Sequence, residues 1–403
     1  MLAYPDYDNC IINLISSIRR YYRTPFAYPT LRAVDRELDK FYKNIVLIII
    51  DGLGKNMFEE YLGRGTFLRR RMTGKLTSVF PSAEIPSYTS CLTGLSPNEH
   101  GWLGRRLFFK EFCRTIDVTN NTDAYSKGVV TRTGGAAQFI MPYENIFPEI
   151  SRSVIAPVQP FTISRQGLDI PETGNYHKVA LTERRIFELI EKICATNQHT
   201  FTFVRWNEPA EIAAREGCES ENIRDFLIKF SESLEELCEK LTDTFIILTS
   251  DHGMTDIYEE IPIHHYRNIM DCLVMPPHVE GRAMCFFVKN HMRSDFKRIF
   301  EENFSGDFVL LSGGDAARKE IFGRGRRHPK ASDFMGDYVA CAISDKIMRF
   351  RALNEKPAPP PKADCGGLTE DEMIVPLVTI PTKLTLEYRP PMLEDITPNI
   401  NYY

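Results

Sequence analysis

The sequence predicts an α/β fold, and three observations carry that prediction. Ile45-Val-Leu-Ile-Ile-Ile50 is an unbroken, largely β-branched apolar run that ends in Asp51-Gly52-Leu53-Gly54. A strand buried on both faces reads this way, with a glycine-rich turn at its carboxyl end. Thr202–Trp206 and Phe245–Thr249 are two more strand-like runs. Between them Ile223, Phe226, Leu227, Phe230, Leu234, Leu237, Cys238 and Leu241 step mostly by three and four, the apolar face of one long amphipathic helix. Strand, helix and strand at this spacing make a parallel crossover.

The remaining elements follow in chain order. Lys55–Leu62 reads as a helix after the first strand. Asn120–Gly174 is rich in Thr, Asn, Gly and Pro and is too long for a plain connection, so a lid or subdomain edge is expected within 120–174. Strand-like Ala283–Val288, helix-like Arg293–Phe304 and strand-like Phe308–Leu311 suggest a small inserted α/β cap over 256–327. Asn354–Lys362 is a short polyproline loop, after which Ile374–Thr379 returns to a strand pattern. The expected organisation is an N-terminal extension (1–39), a discontinuous core (40–255 plus 328–403) and the inserted cap.

Composition narrows the function classes. The 403 residues are 43% hydrophobic and 26% charged, ordinary for a globular protein. With 49 Lys plus Arg against 54 Asp plus Glu, the net charge of −5 provides no field to attract nucleic acid. The clusters Arg69–Arg71 and Arg324–Arg327 read as solvated faces. No apolar run approaches the roughly 20 residues of a membrane span, and Met1–Leu14 lacks the basic start of a signal peptide. Ten scattered cysteines without a Cys-x-x-Cys pair suit reduced thiols, so a cytoplasmic location is expected.

Ligands in open parallel sheets bind beyond the carboxyl ends of the strands. Asp51 follows one strand end and Asp251-His252 another, so these three residues are expected to converge at one rim. A strand-end Asp-Gly or an Asp-His-Gly also makes ordinary turns, and it is their occurrence together that points to a site.

Four segments stand in order: Ile45–Lys55, Leu76–Arg105, Leu248–Ile257 and Cys365–Thr379. Together they resemble the type I phosphodiesterase/nucleotide pyrophosphatase branch of the alkaline phosphatase superfamily, over roughly residues 40–385. The resemblance implies a doubly wound, mostly parallel sheet holding two divalent metals beside a Thr or Ser nucleophile that attacks a phosphate ester. It also implies that Asp51, Asp251 and His252 ligate the metal that contacts the nucleophile. Two carboxylates and an imidazole suit zinc, with manganese or magnesium as alternatives.

The other family positions depart from the pattern. Counting nine residues back from Thr93-Gly94, where the family has its nucleophile, lands on Glu84. Glu84 would be a further metal ligand, a carboxylate nucleophile or an acid favoured by the positive end of the following helix. The second metal's ligand positions fall on Ala210, Ala214 and Cys365. Glu208, Glu211, Glu216 and Cys218 lie nearby as substitutes, and His264, His265, His278 and His328 are imidazoles outside the ligand motifs.

The resemblance and its departures together imply a family member with one divalent metal and no second one, deficient in hydrolysis, that binds a phosphate-ester or nucleotide-like small molecule. Two alternatives keep catalysis open. One is an active phosphoric ester hydrolase using a single metal with water or Glu84. The other is different Lewis-acid chemistry on Asp51, Glu84, Asp251 and His252.

Overall fold

The computed structural model describes residues 1–131, 135–165, 177–352, 355 and 359–385. The main sheet has seven strands, in the order Met72–Thr77, Ile374–Pro381, Thr244–Thr249, Asn44–Ile50, His199–Trp206, Val158–Arg165 and His177–Ala180. Asn44–Ile50 lies between two parallel neighbours, which is why its sequence is apolar on both faces. Ile374–Pro381 runs antiparallel to both of its neighbours.

Alternate residues of the central strand feed two cores. Val46, Ile48 and Ile50 pack with the helices Lys55–Tyr61, Glu183–Cys194, Glu208–Glu216 and Glu221–Lys240. Ile45, Leu47 and Ile49 pack on the other face with Ile11–Tyr21, Arg32–Leu38, Glu84–Thr93 and Phe147–Ser151. Helices on both faces of a mostly parallel sheet make the fold doubly wound.

The Glu221–Lys240 helix starts at Ser220, whose side chain accepts the Asn222 N–H at 3.2 Å. Ser220→Ala is therefore expected to cost about 1 kcal/mol of stability, read as a lower urea midpoint with unchanged slope.

A second sheet of seven strands is antiparallel throughout. Its order is Phe308–Ser312, Tyr338–Ala342, Ala283–Phe286, His278–Val279, Arg106–Phe109, Arg114–Asp117 and Thr122–Asp123. The segment 256–327, expected as a small cap, thus shares its sheet with strands on either side of it in sequence. Backbone pairing explains this: Tyr338–Ala342 fills the space between Phe308–Ser312 and Ala283–Phe286, and Val279 pairs with Arg106.

Within the stretch 120–174, Val158–Arg165 is a strand of the main sheet. Pro160 and alternating Thr162 and Ser164 weaken its apolar pattern. Pro160 is tolerated because the neighbour His177–Ala180 pairs only with Thr162–Arg165, so one side of the strand is free of that ladder at Pro160. Residues 132–134 and 166–174 of that stretch, and Asn354 and 356–358 of the polyproline loop, lie outside the described residues. Among the described residues no helix is long and apolar enough to cross a membrane.

Candidate functional site

Strand register sets the site. Ile49 is opposite both Arg205 and Thr249, so the chain ends of three adjacent strands deliver Asp51, Arg205 and Asp251-His252 to one rim. The amino end of the Glu84–Thr93 helix faces the same rim and contributes Glu84 and Ser87.

Asp51, Asp251 and His252 are buried, and one potential ligand atom from each lies within 4.8 Å of the others. His252 Nε2 is 3.2 Å from Asp51 Oδ1 and 4.0 Å from Asp251 Oδ2. Asp51 Oδ1, Asp251 Oδ1 and His252 Nε2 are buried without an aligned hydrogen-bond partner. His252 Nδ1 lies 2.9 Å from the Gly253 carbonyl oxygen, which can only accept, so Nδ1 holds the proton and Nε2 faces the carboxylates. Ser78 Oγ donates to the Asp251 carbonyl at 2.6 Å, fixing the turn that presents this pair.

The electrostatics of the cluster are those of a crowded acid pair with counter-charges. Burial opposes charge on Asp51, but the Arg205 guanidinium and His252 outweigh it and hold the carboxyl below its usual range. Asp251 is pushed up, first by burial and then by the charge of Asp51. Burial opposes protonation of His252, yet Cys365, Asp251 and Asp51 together hold the imidazole well above its ordinary value. Convergent acids of this kind take up a cation or a proton.

Two buried carboxylates and a buried imidazole with ligand atoms this close fit one divalent cation. Glu84, expected as one alternative to be a further ligand, is not among the residues whose ligand atoms converge within 4.8 Å. Its Oε1 lies 2.9 Å from Arg205 Nη2, and the same nitrogen donates to Asp51 Oδ2 at 2.8 Å.

Arg205 is a residue of this rim that the sequence reading overlooked. It is 3% exposed and stacks on Tyr88, with its central carbon 4.0 Å from the ring centroid. Burial opposes its charge, but Asp51 and Glu84 keep it firmly protonated. The available signal was a charged residue in the otherwise uncharged run Thr202–Trp206, at the strand end that carries function in this fold class.

The second expected half-site holds no comparable ligand set among the described residues. Ala210 donates its N–H to the Asp51 carbonyl, and a Cβ on Gly52 would lie 2.8 Å from the Ala210 Cβ, so the helix backs directly against the Asp51 turn. Ala214 lines a cavity of about 450 Å³ with Arg105, Met254, Glu280, Met348 and Asp364. Cys365 sits next to His252, and desolvation pushes its thiol up to about 12. A single thiol with alanines at its two companion positions supplies too few donors for a metal site.

Of the nearby substitutes, the three glutamates are engaged elsewhere, and Cys218 lies half-buried against the core. Glu208 accepts from Trp206 Nε1, Glu211 pairs with Arg165 and Glu216 accepts from Ser220 and Asn222. His264 and His265 contact each other, His278 stacks on Phe287 and His328 Nδ1 accepts from the Lys330 N–H.

This chain belongs to the type I phosphodiesterase/nucleotide pyrophosphatase family, whose model matches residues 45–306, and so to the alkaline phosphatase superfamily. Among solved structures, murine ectonucleotide pyrophosphatase/phosphodiesterase 5 is 14% identical with a TM-score of 0.61, covering 84% of this chain and 91% of its own. The human counterpart is 13% identical with a TM-score of 0.59, covering 85% and 88%. Phosphonoacetate hydrolase from Sinorhizobium meliloti 1021, in complex with phosphonoacetate, is 14% identical with a TM-score of 0.60, covering 86% and 91%. These likenesses establish a shared fold. No curated protein sequence matches the chain.

Proposed function

We propose that this protein holds one divalent cation through Asp51, Asp251 and His252 and binds a phosphate-bearing small molecule without hydrolysing it. The observation that carries this reading is the contrast between the two half-sites. One has three buried residues whose ligand atoms converge within 4.8 Å, and the other presents Ala210, Ala214 and a lone Cys365 thiol. Zinc suits the mixed nitrogen and oxygen donors best, with manganese or magnesium as alternatives. Such a cation supplies Lewis-acid charge to a bound oxyanion.

The nucleophile position supports the same reading. Glu84 stands there, tied to Arg205, in place of a Thr or Ser hydroxyl. A missing nucleophile and a missing metal each remove several kcal/mol of transition-state stabilisation, so turnover should fall by orders of magnitude. Ligand class is supported by relatives: an inactive form of the murine protein is in complex with AMP, and the bacterial hydrolase with phosphonates. Ten unpaired cysteines support a cytoplasmic, reducing setting.

Metal analysis of the purified protein, paired with phosphodiester and phosphomonoester assays, tests the proposal. The expected result is about one equivalent of divalent metal, reduced to background by Asp251→Asn and by His252→Ala, with no turnover. Two equivalents would overturn the account of Ala210, Ala214 and Cys365. Turnover abolished by Glu84→Ala would establish the active single-metal hydrolase instead.

A further inference from the structure

Within the Arg205 centre, Glu84 is the one side chain open to solvent. It is 40% exposed, against 3% for Arg205, 6% for Asp51, 2% for His252 and 0% for Asp251. Behind it, Arg205 uses the single nitrogen Nη2 for both Glu84 and Asp51, while Nε is buried without a partner. A guanidinium carries five N–H donors in a rigid planar fork, so this one has donors to spare. Its face is backed by Tyr88, and its strand is held by parallel neighbours on both sides. The ten-residue helix that begins at Glu84 has no side-chain cap at Ala83, and its amino end favours negative charge.

We propose that Arg205 and the amino end of the Glu84–Thr93 helix form an oxyanion site of which the Glu84 carboxylate is the built-in occupant, displaced by an incoming phosphate group. Glu84 makes one contact with the fork through one oxygen. A phosphate brings more charge and more acceptor oxygens, and it can engage the donors that Glu84 leaves idle. Glu84 therefore acts as an intramolecular competitor that screens out weakly charged ligands. The inference rests on the reading that the centre binds a phosphate-bearing molecule, and it names the group that receives the phosphate. It does not need the cation.

Calorimetric titration of the full chain with inorganic phosphate, in the presence of a chelator, tests this. Glu84→Ala and Glu84→Gln are each expected to bind phosphate about tenfold tighter than the unmodified chain. Adding Arg205→Lys to Glu84→Ala should abolish that gain, because an ammonium lacks the fork. Nitrogen-15 spectra of arginine-labelled Glu84→Ala give a second readout without touching Arg205: one buried Nε–H resonance should move with phosphate. Equal affinity in both Glu84 variants and the unmodified chain overturns the proposal, as does a gain that survives Arg205→Lys or an Nε–H that does not respond. Because the protein is chelated, failure of metal binding and failure of this site give different results.

Discussion

Arg282→Met is expected to destabilise the fold by about 3–5 kcal/mol, because it strands a buried carboxylate. Arg282 and Glu372 are both fully buried, and the fork meets the carboxylate at 2.6 and 2.7 Å. Two further guanidinium donors bind the Lys346 and Ser344 carbonyls. Glu372 in turn accepts from the Gly367 N–H and from Thr369 Oγ1, so the pair ties the second sheet to the segment that carries Cys365. Urea unfolding of Arg282→Met, Glu372→Leu and the double variant measures this. The double variant should lose less than the sum of the singles, since no unpaired charge remains. A loss below about 1 kcal/mol for Arg282→Met would mean that the pair behaves as a solvated surface bridge.

Gly253→Ala is expected to cost on the order of 3 kcal/mol and to weaken metal binding about tenfold or more. A Cβ at Gly253 would lie 1.9 Å from the Asp371 carbonyl oxygen and 2.7 Å from the Gly54 Cα. A Cβ at Gly54 would meet the same carbonyl at 2.5 Å, so three chain segments touch at backbone distance here. The added methyl must push Gly253 away from Asp371, and the Gly253 carbonyl is what orients His252. Unfolding and metal titration on one preparation measure both effects. Native stability together with native metal affinity would show that the backbone absorbs the methyl without moving His252.

The elements that were legible in the sequence are those whose environment is uniform along their length. Asn44–Ile50, buried on both faces, has to be apolar throughout, and the Glu221–Lys240 helix has to alternate because one face meets solvent. Val158–Arg165 was missed because Pro160, Thr162 and Ser164 blur its pattern, although Thr162 and Ser164 are buried. The second sheet was missed as a unit because its strands are short and their partners come from distant parts of the chain.

The sequence by itself determined the α/β class, the family and the candidate ligands Asp51, Asp251 and His252, which the structure brings to one rim. It could do so because strand-end residues in a parallel sheet share a rim whatever the details of packing. The alanines at two of the other ligand positions were equally readable, since a methyl side chain offers no donor atom whatever the fold. Only the tertiary structure decided what Glu84 pairs with. Its partner Arg205 is 121 residues away, on another element. A charge pair of that kind depends on strand register and burial, and neither is written in the local pattern around either residue.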